Sequence, residues 1–337
     1  MLISAMLFAP QFAARAQTGP ARDLVTVDAR TEQVIKGALR YLAGKQAGSG
    51  SWSADGGQPY PVAITGYVLM AFLATGNLPD EGEYSRNVAA GMQFLLNSVQ
   101  PDGTFRGAEG GQYMYNHGLG TIALAELYGQ TKSREIRPKL ERLVALIIKS
   151  QNPEGGWRYQ PRPNDADISV TVLQVVALRA AKNAGLNVPQ TTIDKAVKYV
   201  RSCYNAAKGG FRYQAGGGEP GFARTAAAIY SLQVCGQYTD PLVKSGSDYL
   251  FAHPNDTDFL TYGLFYAAPA QYMIGGETWV KWYAQMKKLL LGIVIQSGGT
   301  AHWDTRLGST NVGEVYSTAI YTNILAMPWH YVPLYQR

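Results

Sequence analysis

A glycine turn ending in an aromatic residue recurs along this chain at a nearly fixed interval. It reads Gln46-Ala-Gly-Ser-Gly50-Ser-Trp52, Gln100-Pro-Asp-Gly103-Thr-Phe105, Gln151-Asn-Pro-Glu-Gly155-Gly-Trp157, Gly209-Gly210-Phe211 and Gln296-Ser-Gly298-Gly299-Thr-Ala-His-Trp303. The aromatics advance by 53, 52 and 54 positions from Trp52 to Phe105, Trp157 and Phe211. The last step, to Trp303, is 92, or two units of 46 with one degenerate member between. A period of this size means stacked copies of one supersecondary unit, because one copy cannot bury its apolar face alone.

Each unit reads as an amphipathic helix, the glycine–aromatic turn, then a more apolar helix rich in Ala and Leu. In unit one, Val34, Ile35, Ala38, Leu39 and Leu42 form the stripe of a helix over Thr31–Gln46 that buries one face. The second helix, about Val62–Thr75, is apolar nearly all round and is expected to be buried on most sides. Later units repeat this over Tyr84–Val99 and Tyr115–Tyr128, Arg134–Ser150 and Ile168–Ala184, and Thr191–Ala206 and Ala223–Cys235. Unit five, about Pro241–Ile274, lacks the glycine turn, and unit six runs over Thr278–Leu325. The pattern predicts an all-α chain: a single α/α toroid of about six helical hairpins, apolar helices inside and amphipathic helices outside. No polar capping repeat marks either end, which favours a closed ring over an open superhelix.

Of 337 residues, 46% are hydrophobic and 16% charged, the balance of a globular chain with a large core. The net charge of +6 reads first as a plain solubility charge, and only weakly suggests an anionic partner such as a diphosphate or a membrane surface. No Lys/Arg cluster is dense enough for a nucleic-acid partner. Leu2–Phe12 is an apolar run of signal-peptide length, followed by the small-residue site Ala14-Arg15-Ala16. Residues 1–16 therefore read as a signal peptide of an exported, periplasmic protein, with Gln17 as the first mature residue. Met1 begins directly on the apolar run without a basic flank, so either the true start lies upstream or the signal is weak. Residues 17–30 read as an N-terminal extension, 31–327 as the toroid and 328–337 as a C-terminal tail. No later segment has the apolar length of a membrane span. Cys203 and Cys235 fall on different helices of unit four, and two free thiols are expected over a disulfide.

The turns resemble the repeats of the prenyltransferase and squalene-cyclase superfamily, whose α/α toroid carries Q-x-x-x-G-x-W turns. The resemblance covers roughly residues 31–325 and implies that fold. Met114-Tyr-Asn-His117-Gly and Pro328-Trp-His-Tyr-Val-Pro-Leu-Tyr335 are most similar to the superfamily's bacterial repeat proteins of unassigned activity. The segment from Gly155-Gly-Trp157 to Asp165-Ala-Asp167-Ile-Ser169 looks like the region where cyclases carry D-x-D-D-T. That resemblance implies Asp167 as a proton donor for cyclisation and Asp165 as its partner. Ile168 departs from the pattern, removing one carboxylate of the cluster. Triterpene cyclases also use two toroids, whereas this chain has one. The protein prenyltransferases hold zinc with Asp, Cys and His. Here four His and two Cys show no ligand-spaced group, so neither a metal nor another cofactor is expected.

The turn aromatics set a register. Inner helices are expected to begin 12 to 14 positions after each, at Thr65, His117, Ser169, Thr225 and Ser317, with Tyr262 as the equivalent in unit five. In a closed ring these starts share one end of the central cavity, where helix dipoles favour an anion. Candidate ligand-binding residues there are Tyr115, His117, Arg224, Tyr262 and Tyr316, beside Asn116, Asp165 and Asp167. Both aspartates fit equally as helix caps, and His117 as a satisfied core histidine. Arg224 at a helix N-terminus is electrostatically unfavourable and is expected to pair with Asp165 or Asp167, or to meet a ligand phosphate. Twenty-two tyrosines and six tryptophans could line a cavity for an isoprenoid chain or a carbocation, or simply pack the core. Four readings follow. The first is an exported toroid binding an isoprenoid or lipid-like molecule, with peripheral membrane or protein contact left open. The others are a cyclase or prenyl-transfer enzyme with Asp167 as acid, a protein-binding scaffold, and a carbohydrate-active enzyme, which would need two separated carboxylates.

Overall fold

The computed structural model describes residues 25–335 apart from 56–58, 109, 305–306 and 308–311. The expected signal segment 1–16 and residues 17–24 of the extension lie outside the described residues. Twelve described helices alternate in two layers: α1 (Ala29–Gly44), α2 (Pro61–Leu73), α3 (Ser85–Ser98), α4 (Tyr113–Thr131), α5 (Ile136–Lys149), α6 (Ile168–Asn183), α7 (Gln190–Ser202), α8 (Phe222–Val234), α9 (Pro241–Ala252), α10 (Leu260–Ile274), α11 (Gly276–Ile293) and α12 (Glu314–Ala326). Odd-numbered helices bury one stripe and form the outer layer. Even-numbered helices are apolar on every side and form the inner one: in α2, every residue from Val62 to Leu73 is buried. Each inner helix packs on the next, and α12 packs on α2, so the ring closes. Arg40 Nε donates to the Gly299 carbonyl at 2.7 Å, stitching the last unit's turn to the first unit's outer helix. The chain is an α/α toroid.

The turn motif works as a joint. In three units the indole N–H donates to a carbonyl in the last turn of that unit's outer helix: Trp52 to Leu42 at 2.6 Å, Trp157 to Ile147 at 2.7 Å and Trp303 to Leu290 at 2.9 Å. These carbonyls have no intrahelical partner in an isolated helix end. The aromatic's own backbone N–H donates to a threonine hydroxyl of the following inner helix, Thr65, Thr171, Thr225 or Thr318, at 2.9 to 3.1 Å. The motif glutamine reaches sideways. Gln46 Nε2 donates to Gly50 O and to Asn87 O of the next outer helix, and Gln151 Nε2 does the same to Gly155 O and Thr192 O. Gly50 and Gly155 have φ of +86° and +100°. A Cβ there would stand 2.4 Å from Ala90 O and 2.3 Å from Lys195 O, so glycine is required by both conformation and contact.

The helices start one to four residues ahead of the expected register. The threonines taken as starts lie inside the first turns, because their hydroxyls must face back to the turn aromatic. Two short antiparallel ribbons, β1 (Tyr204–Asn205) with β2 (Gly210–Phe211) and β3 (Ile295–Ser297) with β4 (Thr300–His302), brace turns four and six. Both cysteines are free, and burial pushes the Cys203 thiol up to about 11 and the Cys235 thiol up to about 12. After α12 the tail makes two 3-10 turns, Met327–Trp329 and Pro333–Tyr335. The second packs across α4, α6 and α10 and closes the ring at the C-terminal ends of its inner helices.

Thr171→Val leaves the buried Trp157 N–H without an acceptor. It is expected to lower unfolding stability by about 1–3 kcal/mol in urea titration, and an unchanged midpoint would show that the joint carries no stability.

Candidate functional site

With one end closed by the tail, the ring opens where its inner helices begin. There a cavity of about 580 Å³ is lined by Tyr60, Ala63, Ile64 and Tyr67 of α2 and its cap, Gln112, Tyr115, Asn116 and Leu119 of α4 and its cap, Ser169 of α6, Gly221 to Arg224 of α8 and its cap, Phe259 and Tyr262 of α10 and its cap, and Tyr316 of α12. Its walls are aromatic: Tyr60, Tyr67, Tyr115, Tyr159, Tyr213, Tyr262 and Tyr316 all contribute. The rings meet edge to face, Tyr67 with Tyr316 at 5.2 Å and Tyr262 with Tyr266 at 4.8 Å, the geometry aromatic quadrupoles favour. Burial holds the hydroxyls of Tyr67, Tyr262 and Tyr316 well above the ordinary range, so they stay neutral. Two non-glycine residues at the mouth, Tyr60 and Phe259, cap α2 and α10 in the left-handed region, with φ of 38° and 55°. Such a conformation costs on the order of 1 kcal/mol and recurs at functional sites. It sets both rings at the opening, Phe259 being 54% exposed.

Of the candidate ligand residues, Tyr115, Tyr262, Tyr316 and Arg224 line the cavity together. His117 does not. It is fully buried on the side of α4 that faces α5, and the Leu143 carbonyl must accept from its Nε2–H (3.1 Å). Its Nδ1 therefore accepts from the Tyr113 hydroxyl (3.1 Å), which in turn accepts from the Phe105 backbone N–H (3.1 Å). Unit two has no threonine at the joint position, and Tyr113 with His117 replaces it. Burial lowers the imidazole to about 4 and keeps it neutral. His117 is thus a core residue of the repeat, not part of the cavity wall.

The two aspartates aligned with a cyclase acid do not reach the cavity wall either. Asp167 is fully buried and caps α6: Oδ1 accepts from Val170 N at 2.9 Å and from Ser169 Oγ at 2.6 Å. Its Oδ2 has no hydrogen bond and lies 3.7 Å from Arg158 Nε. Burial raises its pKa, against the lowering effect of Ser169, Val170 and Arg158. Asp165 is on the surface and pairs with Arg158 at 2.6 Å. The expected pairing of these aspartates with Arg224 is corrected accordingly. Arg158, only nine residues from the α6 cap, lies between Tyr159 and Tyr213 and takes both carboxylates. Asp167 nevertheless connects to the cavity, because Ser169 lines it and shares a 2.5 Å hydrogen bond with the Tyr115 hydroxyl.

Sequence reasoning did not place Tyr60, Tyr67, Tyr159, Tyr213, Asp256 or Asp258 here. One signal was available: Trp157-Arg158-Tyr159 and Phe211-Arg212-Tyr213 repeat, putting a tyrosine two positions after the joint. Their hydroxyls hydrogen-bond to each other. Among the described residues no group of three or more His, Cys, Asp or Glu is placed to hold a metal, and no helix is long and apolar enough to cross a membrane. A second buried acid, Glu126, lies near the closed end, beside the backbone of Leu334 in the tail. Burial raises its carboxyl to about 8, against the lowering effect of that backbone hydrogen bond.

The folded state therefore holds a proton on Glu126 that the unfolded chain releases near the ordinary value of 4.5. Its contribution to stability is complete below that value and is lost as pH rises towards about 8. Glu126→Gln is expected to flatten the fall in stability between these limits by roughly 1 kcal/mol per pH unit. Thermal melts of both proteins across the window check this, and superimposable pH profiles would contradict it.

Solved structures with this architecture include the apo type II terpene cyclase MstE from Scytonema, at 14% identity and a TM-score of 0.57, covering 90% of this chain and 99% of that one. They also include the cellobiose 2-epimerase of Bacillus thermoamylovorans, at 12%, 0.66, 89% and 98%. A third is an α-1,6-mannanase of Salegentibacter, at 8%, 0.65, 90% and 99%. At these identities the likeness shows the fold alone. No curated protein matches the sequence. A family described as a domain of unknown function, DUF6288, matches residues 31–226.

Proposed function

The chain belongs to the DUF6288 family, and from that premise we propose that it is an exported toroid that binds an isoprenoid or similarly apolar small molecule in its central cavity. The observation that carries the reading is the wall itself. Seven tyrosines with Ala63, Ile64, Leu119 and Phe222 enclose about 580 Å³, room for a ligand of drug size or larger. Aromatic faces suit polyene chains and positive charge developing on them. Asp256 and Asp258 do not favour a carbohydrate-cleaving pair. They sit two positions apart on one loop, and Asp256 accepts backbone N–H bonds on both oxygens, from Phe222 at 2.8 Å and Asp258 at 3.2 Å. The fold is shared with a terpene cyclase solved with geranylgeranyl dihydroxybenzoate as its substrate, which is compatible with this ligand class. A second reading, acid-initiated cyclisation, draws on the hydrogen-bonded path from Asp167 through Ser169 to Tyr115 at the wall.

Organic extracts of the purified full chain, analysed by mass spectrometry, test both. The wild type is expected to carry a polyprenoid or triterpenoid, and Ala63→Phe, which fills the cavity, to carry much less. Asp167→Asn is expected to carry the same species. A different, uncyclised species in that variant would establish the acid reading instead, and empty extracts throughout would leave a scaffold. Export predicts a mature N-terminus at Gln17 in a bacterial host. N-terminal sequencing that found Met1 retained in cytoplasmic protein would overturn it.

A further inference from the structure

Arg224 is the only cationic side chain among the described residues lining the cavity. It forms no ion pair and no hydrogen bond among the described residues. It lies in the first turn of α8, whose dipole opposes a cation. The first N–H of that helix is already taken by Asp256, and the guanidinium is the charged donor at this edge of the cavity. The guanidinium is folded back over Gly221, where a Cβ would come within 2.5 Å of Nε and 2.7 Å of Nη2. Gly221 is extended, with φ of −155°, so glycine serves there to admit the arginine rather than to bend the chain. The donors of Arg224 are therefore open to an anion at the edge of the aromatic cavity.

The charge around it limits what that anion can be. Asp256 and Asp258 also line the opening, so one cation faces two carboxylates. The net charge of these three groups is negative, so each further negative charge on a head group adds to the repulsion, and a singly charged group is disfavoured least. A single planar anion fits, because the guanidinium fork matches a carboxylate in two parallel hydrogen bonds.

Resting on the apolar-ligand reading above, we propose that the cavity takes an apolar chain ending in one carboxylate, anchored by Arg224, in preference to a diphosphate or an uncharged terpene. The chain lies against the tyrosine wall and the acid stays at the mouth.

Calorimetric titration of the full chain with three probes of one chain length, farnesoic acid, farnesol and farnesyl diphosphate, tests this. Wild type is expected to bind the acid roughly tenfold to a hundredfold more tightly than the alcohol, and the diphosphate more weakly than the acid. Arg224→Gln is expected to bring the acid-to-alcohol ratio to about one. Gly221→Ala, which displaces the guanidinium without removing its charge, is expected to lower the ratio partway, and it carries the test if Arg224→Gln fails to fold. Equal binding of acid and alcohol by wild type, or a ratio that Arg224→Gln leaves unchanged, overturns the anchor while the cavity reading stands. Tightest binding of the diphosphate overturns the single-carboxylate assignment. Binding of none of the three overturns the cavity reading and this inference with it.

Discussion

Everything in this toroid depends on the joint between the turn aromatic and its two helices. One residue donates its indole N–H to the end of the outer helix and its backbone N–H to a threonine inside the inner helix. Both bonds are buried, where an unmade hydrogen bond costs far more than a made one contributes. The outer and inner helices of a unit therefore cannot slide past one another. The glutamine and glycine of the same motif fix the next unit. Repetition of the joint brings the inner helices to start at a common end, and that common end is the cavity.

Unit two shows how firmly the joint is required. Its inner helix carries glycine and leucine where others carry threonine, and Tyr113 with His117 supplies the missing acceptor. A histidine that looked chemically interesting is accounted for by a backbone N–H that needed a partner. Asp167 is a comparable case. Its carboxylate caps α6, and the neighbouring Arg158 offsets part of the cost of burying it. What reaches the cavity from α6 is Ser169.

The tail packs across the inner helices away from the mouth of the cavity. Pro333–Tyr335 crosses three inner helices, and Asn323 Nδ2 donates to the Tyr335 hydroxyl at 2.9 Å. Phe259, Tyr60 and Arg224 stand at the mouth. An apolar interior, with Arg224 at the opening as the one cation among the described lining residues, gives the site a direction.

The sequence by itself determined the repeat, the two helical layers and the turn aromatics, because spacing and apolar periodicity are local properties of the chain. Offsets from the joint also lead to Tyr115, Tyr316 and Arg224, and Tyr262 follows only as the equivalent position in the unit that lacks the joint; all four line the cavity. Only the tertiary structure decided which polar side chains face the axis. Asp167 and His117 sit within a few residues of wall positions yet point into the ring between its layers, since a helix turns about 100° per residue and neighbours in sequence face different ways. Arg158 rather than Arg224 took the aspartates, because pairing follows distance across packed units. Asp256 and Phe259 entered the mouth from a loop outside the repeat pattern, where no period marks position and only the closed ring brings the ends together.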